Sequence, residues 1–393
     1  MRILNISGLI RNDFISKKKS ENTIIFDLDK RFQESDFDVE FLNVYVHPYS
    51  NLFFALISRK WKEYYLLSKL KSFNSDGHKI YTFPILILPF KSKLNKFLFR
   101  LSICLNLKRL KNVMGEFTPD IIQAFDVDKS ASVAMYLSRK YNLPFLVYTR
   151  EVNYTLFEYI RSNLRRSSAI ISHGYLHKHI VEKEFDDVKS LLIPHGVPSN
   201  LFNNPLNKSD IDKNNIKIVS IGRLINGKNF DLLIDSISDV KCFSLDIYGS
   251  GPDENYLINK VRNLEIQDRV RIITKPYTYD ELPEILSRYD LFALISYPET
   301  FGRVYAEAVV CGLPVICAVG SGIYGQLEER KEAFFVHHRD SNQLKNILLQ
   351  IAGDPNILSI MSNNVLNIRD KFRWDVILNS YMDVYRNVLK DKI

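Results

Sequence analysis

Apolar and polar positions along this chain follow two rhythms. Short apolar runs such as "MRILNIS", "DVEFLNV", "IYTFPILIL", "DIIQAF", "PFLVYT", "AIISHG" and "SLLIPHG" predict strands. Longer amphipathic stretches lie between them, "SASVAMYLSRKYNL" among them, and predict helices. Strands separated by helices imply parallel sheets layered with helices.

Near residues 195–215 the texture changes. "IPHGVPSNLFNNPLNKSDIDKNN" is rich in Pro, Asn and Ser and reads as a linker. A second alternating series follows. "IKIVSIGRL", "FSLDIYGSG", "VRIIT", "LFALIS" and "PVICA" are its strands, and "NFDLLIDSISDV", "DENYLINKVRNL", "DELPEILSRY" and "RVYAEAVVCG" its helices. The last 25 residues read as one or two closing helices. The expectation is an α/β protein of two domains separated by a cleft, residues 1–200 and 201–372. In parallel sheets of this kind ligands sit at the carboxyl ends of strands.

Composition leaves this picture unchanged. The chain has 393 residues, 46% hydrophobic and 25% charged, which is ordinary globular usage. Its four cysteines have no metal-ligand or disulfide-framework spacing, which suits a reducing cytoplasm. The start does not read as a signal peptide, and no stretch reaches membrane-spanning length. Charge is uneven. Residues 1–200 carry a net +10 and the remainder a net −2, while residues 59–111 alone carry 13 basic against two acidic residues.

Three turns in the second half carry the candidate chemistry. In "SIGRLINGKNFDLL", Gly222 permits a tight turn, and Arg223 and Lys228 follow just ahead of a helix. Two cations there suit a diphosphate, Arg as a two-pronged donor and Lys as a point charge, although an ordinary basic loop has the same composition. In "DIYGSGPDENYL", Gly249 and Gly251 either allow close backbone approach to a ligand or simply make a turn. In "SYPETFGRVYAEA", Glu299 falls in a loop and Glu307 within the following helix. Glu307 interrupts an apolar face and so needs a partner. The Phe301 and Gly302 amides lie at that helix start, where an anion is favoured.

The stretch from "GRLINGKNFDLL" to "PETFGRVYAEAVVCGLPVI" resembles the nucleotide-sugar domain of retaining glycosyltransferases of family 4, which have the two-domain GT-B fold. Its E-x7-E signature is matched by Glu299 and Glu307. "IPHGVPSNLF" resembles the family's entry to the second domain, and "FRWDVILNSYMDVY" its closing helix. The resemblance is specific over residues 190–390 and architectural before that. It implies two Rossmann-like domains, the first binding the acceptor and the second the donor, with helix 373–393 packing back on the first. It implies that Arg223 and Lys228 bind the donor diphosphate and stabilise the leaving group. It gives Glu299 the donor-sugar hydroxyls and Glu307 the ribose hydroxyls. Thr300, Phe301, Gly302 and Arg303 would lie against sugar and phosphate, with Gly249 and Gly251 also on the donor side, and Pro276 would meet the base edge. No metal and no cofactor are expected beyond the nucleotide-diphosphate sugar as co-substrate, because fixed cations and helix-end amides can stabilise the leaving diphosphate.

The first half departs from the family. Its loop after the first strand, "ISGLIRNDFISKKKSEN", has one glycine and a basic run. Arg150 and Glu151, in "YTREVNYTLF", stand where an acceptor would be oriented, or form a plain ion pair. His173, His177 and His179 read as surface or capping residues rather than metal ligands. The basic, aromatic-rich stretch 59–111 suits an anionic membrane surface or an ordinary solvated face, and nucleic acid is not an expected partner because no recognised binding motif is present. The expected activity is transfer of a sugar from a nucleotide-diphosphate donor to a saccharide or lipid-linked acceptor, in building a cell-surface polysaccharide. The expected place is the cytoplasm or the inner face of the membrane. The alternatives are a non-catalytic sugar-nucleotide or membrane-binding protein of the same fold, and a phosphorylase-like enzyme.

Overall fold

In the computed structural model the described residues are 1–7, 38–46, 70–75, 78–86, 94–149, 158–203 and 211–390. They form two compact units. One comprises Met1–Ile171, Val181–Leu191 and Tyr381–Ile393, the other Ser172–Ile180 and Leu192–Ser380.

The first unit is built on strands β1 (Arg2–Ser7), β2 (Asp38–Val46), β3 (Ser72–Ser75), β4 (His78–Ile85), β5 (Ile121–Ala124), β6 (Phe145–Thr149), β7 (Ala169–Ser172) and β8 (Leu191–Leu192). Their order in the sheet is β3-β4-β2-β1-β5-β6-β7-β8. The β1–β2, β1–β5, β2–β4 and β5–β6 pairs are parallel, and β3, on the edge, pairs antiparallel with β4. Described helices are α1 (Leu94–Leu105), α2 (Leu107–Phe117), α3 (Lys129–Tyr141) and α4 (Glu158–Arg166), together with the end of α5 (Tyr175–Glu184), whose residues up to Ile180 belong to the second unit. The central strands are buried on both faces, which is why they read as continuous apolar runs rather than as alternation. The C-terminal half of the last helix closes this core. Tyr381 and Tyr385 lie beside Tyr148, and the Tyr385 hydroxyl donates to Gln123 Oε1 at 2.6 Å.

The second unit contains β9 (Ile216–Ile221), β10 (Phe243–Tyr248), β11 (Val270–Ile273), β12 (Leu291–Leu294), β13 (Val315–Ala318) and β14 (Ala333–Val336), with α6 (Phe230–Ser238), α7 (Glu254–Asn263), α8 (Leu282–Ser287), α9 (Arg303–Val310), α10 (Ser341–Gly353), α11 (Asn356–Ile368) and α12 (Trp374–Lys390). Helix α6 shows how sequence sets packing. Phe230, Leu233, Ile234 and Ile237 recur at helical spacing and are all buried. Helix α10 repeats the device with Leu344, Ile347, Leu348 and Ile351, and its Asp340 cap accepts from the Gln343 amide at 2.9 Å.

Strand order in this sheet is β11-β10-β9-β12-β13-β14, and its pairs are parallel. The chain builds outward from β9 to β11, then returns to lay β12 against the other side of β9. Loops leaving the carboxyl ends of β9 and β12 therefore diverge at a topological switch point and leave a crevice there. The candidate cations follow β9 and the candidate acids follow β12.

Candidate functional site

Three loops converge at this switch point. After β9, a 3-10 turn over Asn226–Lys228 hands the chain to α6 through Asn229, whose backbone is left-handed (φ 51°). Asn229 spends its side-chain amide on two carbonyls, Ile295 at 2.7 Å and His338 at 3.3 Å. One residue thus ties the turn carrying Lys228 to the ends of β12 and β14. Lys228 Nζ forms an ion pair with Glu299 Oε2, in which both side chains are about four-fifths buried.

The loop after β12 is held by hydroxyls. Ser296 Oγ donates to Glu299 Oε2 at 3.1 Å. Ser321 Oγ, in the loop after β13, accepts from the Glu299 amide at 2.7 Å and contacts the Ser296 carbonyl at 3.1 Å. The Gly322 amide donates to the Glu299 carbonyl at 3.1 Å. Glu299 is therefore fixed at main chain and carboxylate alike. Gly302 has φ +67°, and a Cβ there would sit 2.5 Å from the Tyr305 ring, so only glycine makes this turn into α9. Among the described residues the Phe301 and Gly302 amides have no acceptor, whereas the Phe301 side chain is buried near His195 and Phe372.

Glu307 lies one turn into α9 and is buried. The partner that its apolar surroundings demand is the Tyr279 hydroxyl, which donates to Oε1, with Arg303 Nε at 3.8 Å. Burial holds the Glu307 carboxyl above the ordinary carboxylate range, against the opposing pull of Tyr279 and Arg303. Burial and the Glu307 charge together raise the Tyr279 phenol, and the same causes push Tyr277 up to about 12. Tyr279 is delivered by a capping box. Thr278 Oγ1 donates to Glu281 Oε2 at 2.8 Å, and that carboxylate also accepts from the Thr278 amide. Pro276 is exposed just before it, in the loop after β11.

Arg223 is exposed at the end of β9 and makes no ion pair among the described residues, so its guanidinium is available to an anion. Gly249 and Gly251 approach protein backbone. A Cβ at Gly249 would lie 1.9 Å from the Gly222 carbonyl oxygen, and one at Gly251 would lie 2.3 Å from that of Leu224. Loop-to-loop packing by itself requires both glycines. Arg150 and Glu151 lie outside the described residues, as do the loop after β1 and part of the linker and of the basic stretch.

The histidines correct the sequence expectation. His173 and His177 are buried, not surface residues, and only His179 is exposed, stacked with Tyr175. The helix begins at Tyr175, so Gly174 and His173 precede it, and the chain there packs inward. A Cβ at Gly174 would fall 1.7 Å from the Thr300 carbonyl oxygen. His173 contacts the Ile193 carbonyl at 3.0 Å through Nδ1 and stacks on His195, whose ring faces Phe301. His173 and His195 thereby support the back of the Glu299 loop. Among the described residues no three of His, Cys, Asp and Glu are grouped as a metal ion would require.

Sequence reasoning missed Ser296, Ser321, Asn229 and Tyr279. Small polar residues in loops carry no distinguishing signal. Tyr279 alone was findable, because T-Y-D-E is a capping-box pattern.

The fold class is that of two Rossmann-like α/β units. Sucrose-phosphate synthase from Thermosynechococcus elongatus superposes with TM-score 0.69 at 16% identity, over 100% of both chains. The UDP complex of HepE from Anabaena superposes with TM-score 0.68 at 19% identity, over 98% of this chain and 100% of that one. At this identity the likeness establishes the fold alone. Residues 203–367 match the family described as glycosyl transferases group 1. Among curated relatives, N-acetyl-alpha-D-glucosaminyl L-malate synthase of Bacillus anthracis is 29% identical over 146 residues. That match covers 37% of this chain and 38% of the relative's length.

Proposed function

We propose that the protein is a retaining glycosyltransferase that moves a sugar from a nucleotide-diphosphate donor to a saccharide or lipid-linked acceptor. The observation that carries the reading is the Lys228–Glu299 pair at the β9/β12 switch point, with Glu307 eight residues on and buried against Tyr279. The family match over residues 203–367 and the UDP-bound HepE neighbour support a nucleotide donor.

In this reading the diphosphate draws Lys228 away from Glu299 and gathers Arg223 and the Phe301 and Gly302 amides. The freed Glu299 carboxylate accepts from donor-sugar hydroxyls. Glu307 accepts from ribose hydroxyls in the place now taken by Tyr279. The bond between the anomeric carbon and the β-phosphate oxygen breaks, and its electron pair leaves with the diphosphate. The acceptor oxygen bonds to the same face of that carbon and gives its proton to the leaving phosphate oxygen. Charge grows on the diphosphate as the bond lengthens, so cations fixed beforehand lower the barrier, and the proposal needs no divalent ion. Synthesis of a cell-surface polysaccharide from the cytoplasmic side belongs to the same proposal, as does acceptor binding by the first unit.

The test is an assay of radiolabelled nucleotide sugars against a panel of saccharide and lipid-linked acceptors, with Glu299→Ala as control. Sugar transfer by the parent and its loss in the variant are expected. Binding of nucleotide without transfer or donor hydrolysis would favour a non-catalytic sugar-nucleotide protein instead. Turnover dependent on inorganic phosphate would favour a phosphorylase.

A further inference from the structure

Helix α1 is apolar on the side it shows to solvent. Leu94, Phe97, Leu101 and Leu105 are 50%, 61%, 36% and 66% exposed. At 100° per residue they fall within an arc of about 80°. The opposite side is the anchoring one. Ser102 and Ile103 are buried, and Ser102 Oγ accepts from the Leu86 amide at 2.7 Å. Elsewhere among the described residues, no other helix or strand carries more than one exposed large hydrophobic side chain, as with Leu191, Leu349 and Ile360. Single exposures are normal; a contiguous stripe along a helix marks a surface that meets something.

Charge identifies the occupant. Helix α1 contains no acidic residue, and exposed Arg100 lies beside the stripe. Exposed Lys108 and Lys111 follow in α2, where Glu116 is the sole acid and is held by Lys79. Residues 94–117 carry five basic residues against that one acid. A leucine and phenylalanine ridge flanked by cations is what an anionic bilayer surface accepts: the apolar side chains enter the acyl boundary and the cations stay at the headgroups. A purely apolar protein partner would give these cations nothing to neutralise. No helix among the described residues is long and apolar enough to cross a membrane, so the contact is one of lying on the surface.

We infer that helix α1 docks the first unit on an anionic lipid surface, with Phe97, Leu101 and Leu105 inserted and Arg100, Lys108 and Lys111 at the headgroups. The inference is independent of the nucleotide-site reading, because a chain inert in transfer would still bind vesicles.

The experiment is vesicle flotation of the full chain. The parent should float with vesicles of phosphatidylcholine containing about 30% phosphatidylglycerol at low salt, and release as NaCl approaches about 0.5 M. Leu101→Ser/Leu105→Ser should lower partitioning by about tenfold or more. Arg100→Ser should lower it by about fivefold, with some salt dependence lost. Thermal melts of these variants should match the parent, since the altered side chains face solvent. Failure of the parent to float would overturn the inference. So would equal binding to neutral vesicles, or partitioning indifferent to the double substitution. A concentration-dependent dimer in sedimentation velocity, abolished by the same double substitution and unaccompanied by flotation, would assign the stripe to a second copy of the chain and overturn it equally.

Discussion

At the scale of single residues, the charged groups of the candidate site satisfy one another. Lys228 and Glu299 neutralise each other, and Tyr279 and Arg303 serve Glu307. In the proposed reading each pairing loosens as the donor enters, and this gives two substitutions opposite signs. Lys228→Ala removes the charge-assisted contact and leaves Glu299 facing the diphosphate, so affinity for a nucleoside diphosphate should fall about 10- to 100-fold. Glu299→Gln removes the competitor for Lys228. It should bind the same nucleoside diphosphate at least as tightly while sugar transfer is lost. Glu307 makes a separate prediction from its raised pKa. The folded state holds the Glu307 proton at pH values where the unfolded chain, near 4.5, has released it. The unfolded state then binds fewer protons, so this group lowers stability as pH rises from about 4.5 through the folded value. Glu307→Gln should flatten that part of the parent's stability curve and be no less stable at pH 7, while weakening nucleotide binding. Urea titrations at several pH values check the first part and calorimetry the second.

At the scale of elements, strand-end geometry decides what substitution is tolerated. Gly249→Ala drives a Cβ into the Gly222 carbonyl, backbone against backbone with no flexible end to yield. The expected loss is about 3 kcal/mol or more, a fall in Tm of roughly 6–12 °C by differential scanning calorimetry. At Asn229, glycine keeps the left-handed backbone but loses the ties to Ile295 and His338. Alanine loses both, so Asn229→Ala should be less stable than Asn229→Gly by about 1 kcal/mol. The strands and helices around these turns were legible because apolar periodicity survives in the sequence. β9, β10, β12 and β13 and helices α6, α7 and α9 lie where the pattern places them. The edge strand β3, "SFNS", and β14, "AFFV", were not, since four residues beside polar neighbours become strands only through pairing with β4 and β13. The paired glutamates stood out by spacing. Their supports did not, because Ser321 and Ser296 act across loops that only the folded sheet brings together.

At the scale of the molecule, the donor-side candidates Arg223, Lys228, Glu299 and Glu307 all belong to one compact unit, which carries its own core. A nucleotide that binds them stabilises that unit by mass action, by about 2.7 kcal/mol at a hundredfold excess over Kd. Where calorimetry resolves more than one transition, nucleotide should move that of the second unit. The central claim is that the cationic turn after β9 grips a diphosphate. It is tested most directly by isothermal titration calorimetry of UDP, GDP and ADP against the parent, Lys228→Ala and Glu299→Gln. The account predicts saturable binding of at least one nucleotide by the parent, strongly weakened in Lys228→Ala and preserved in Glu299→Gln. Binding undiminished in Lys228→Ala, or no binding of any of the three by the parent, would contradict it.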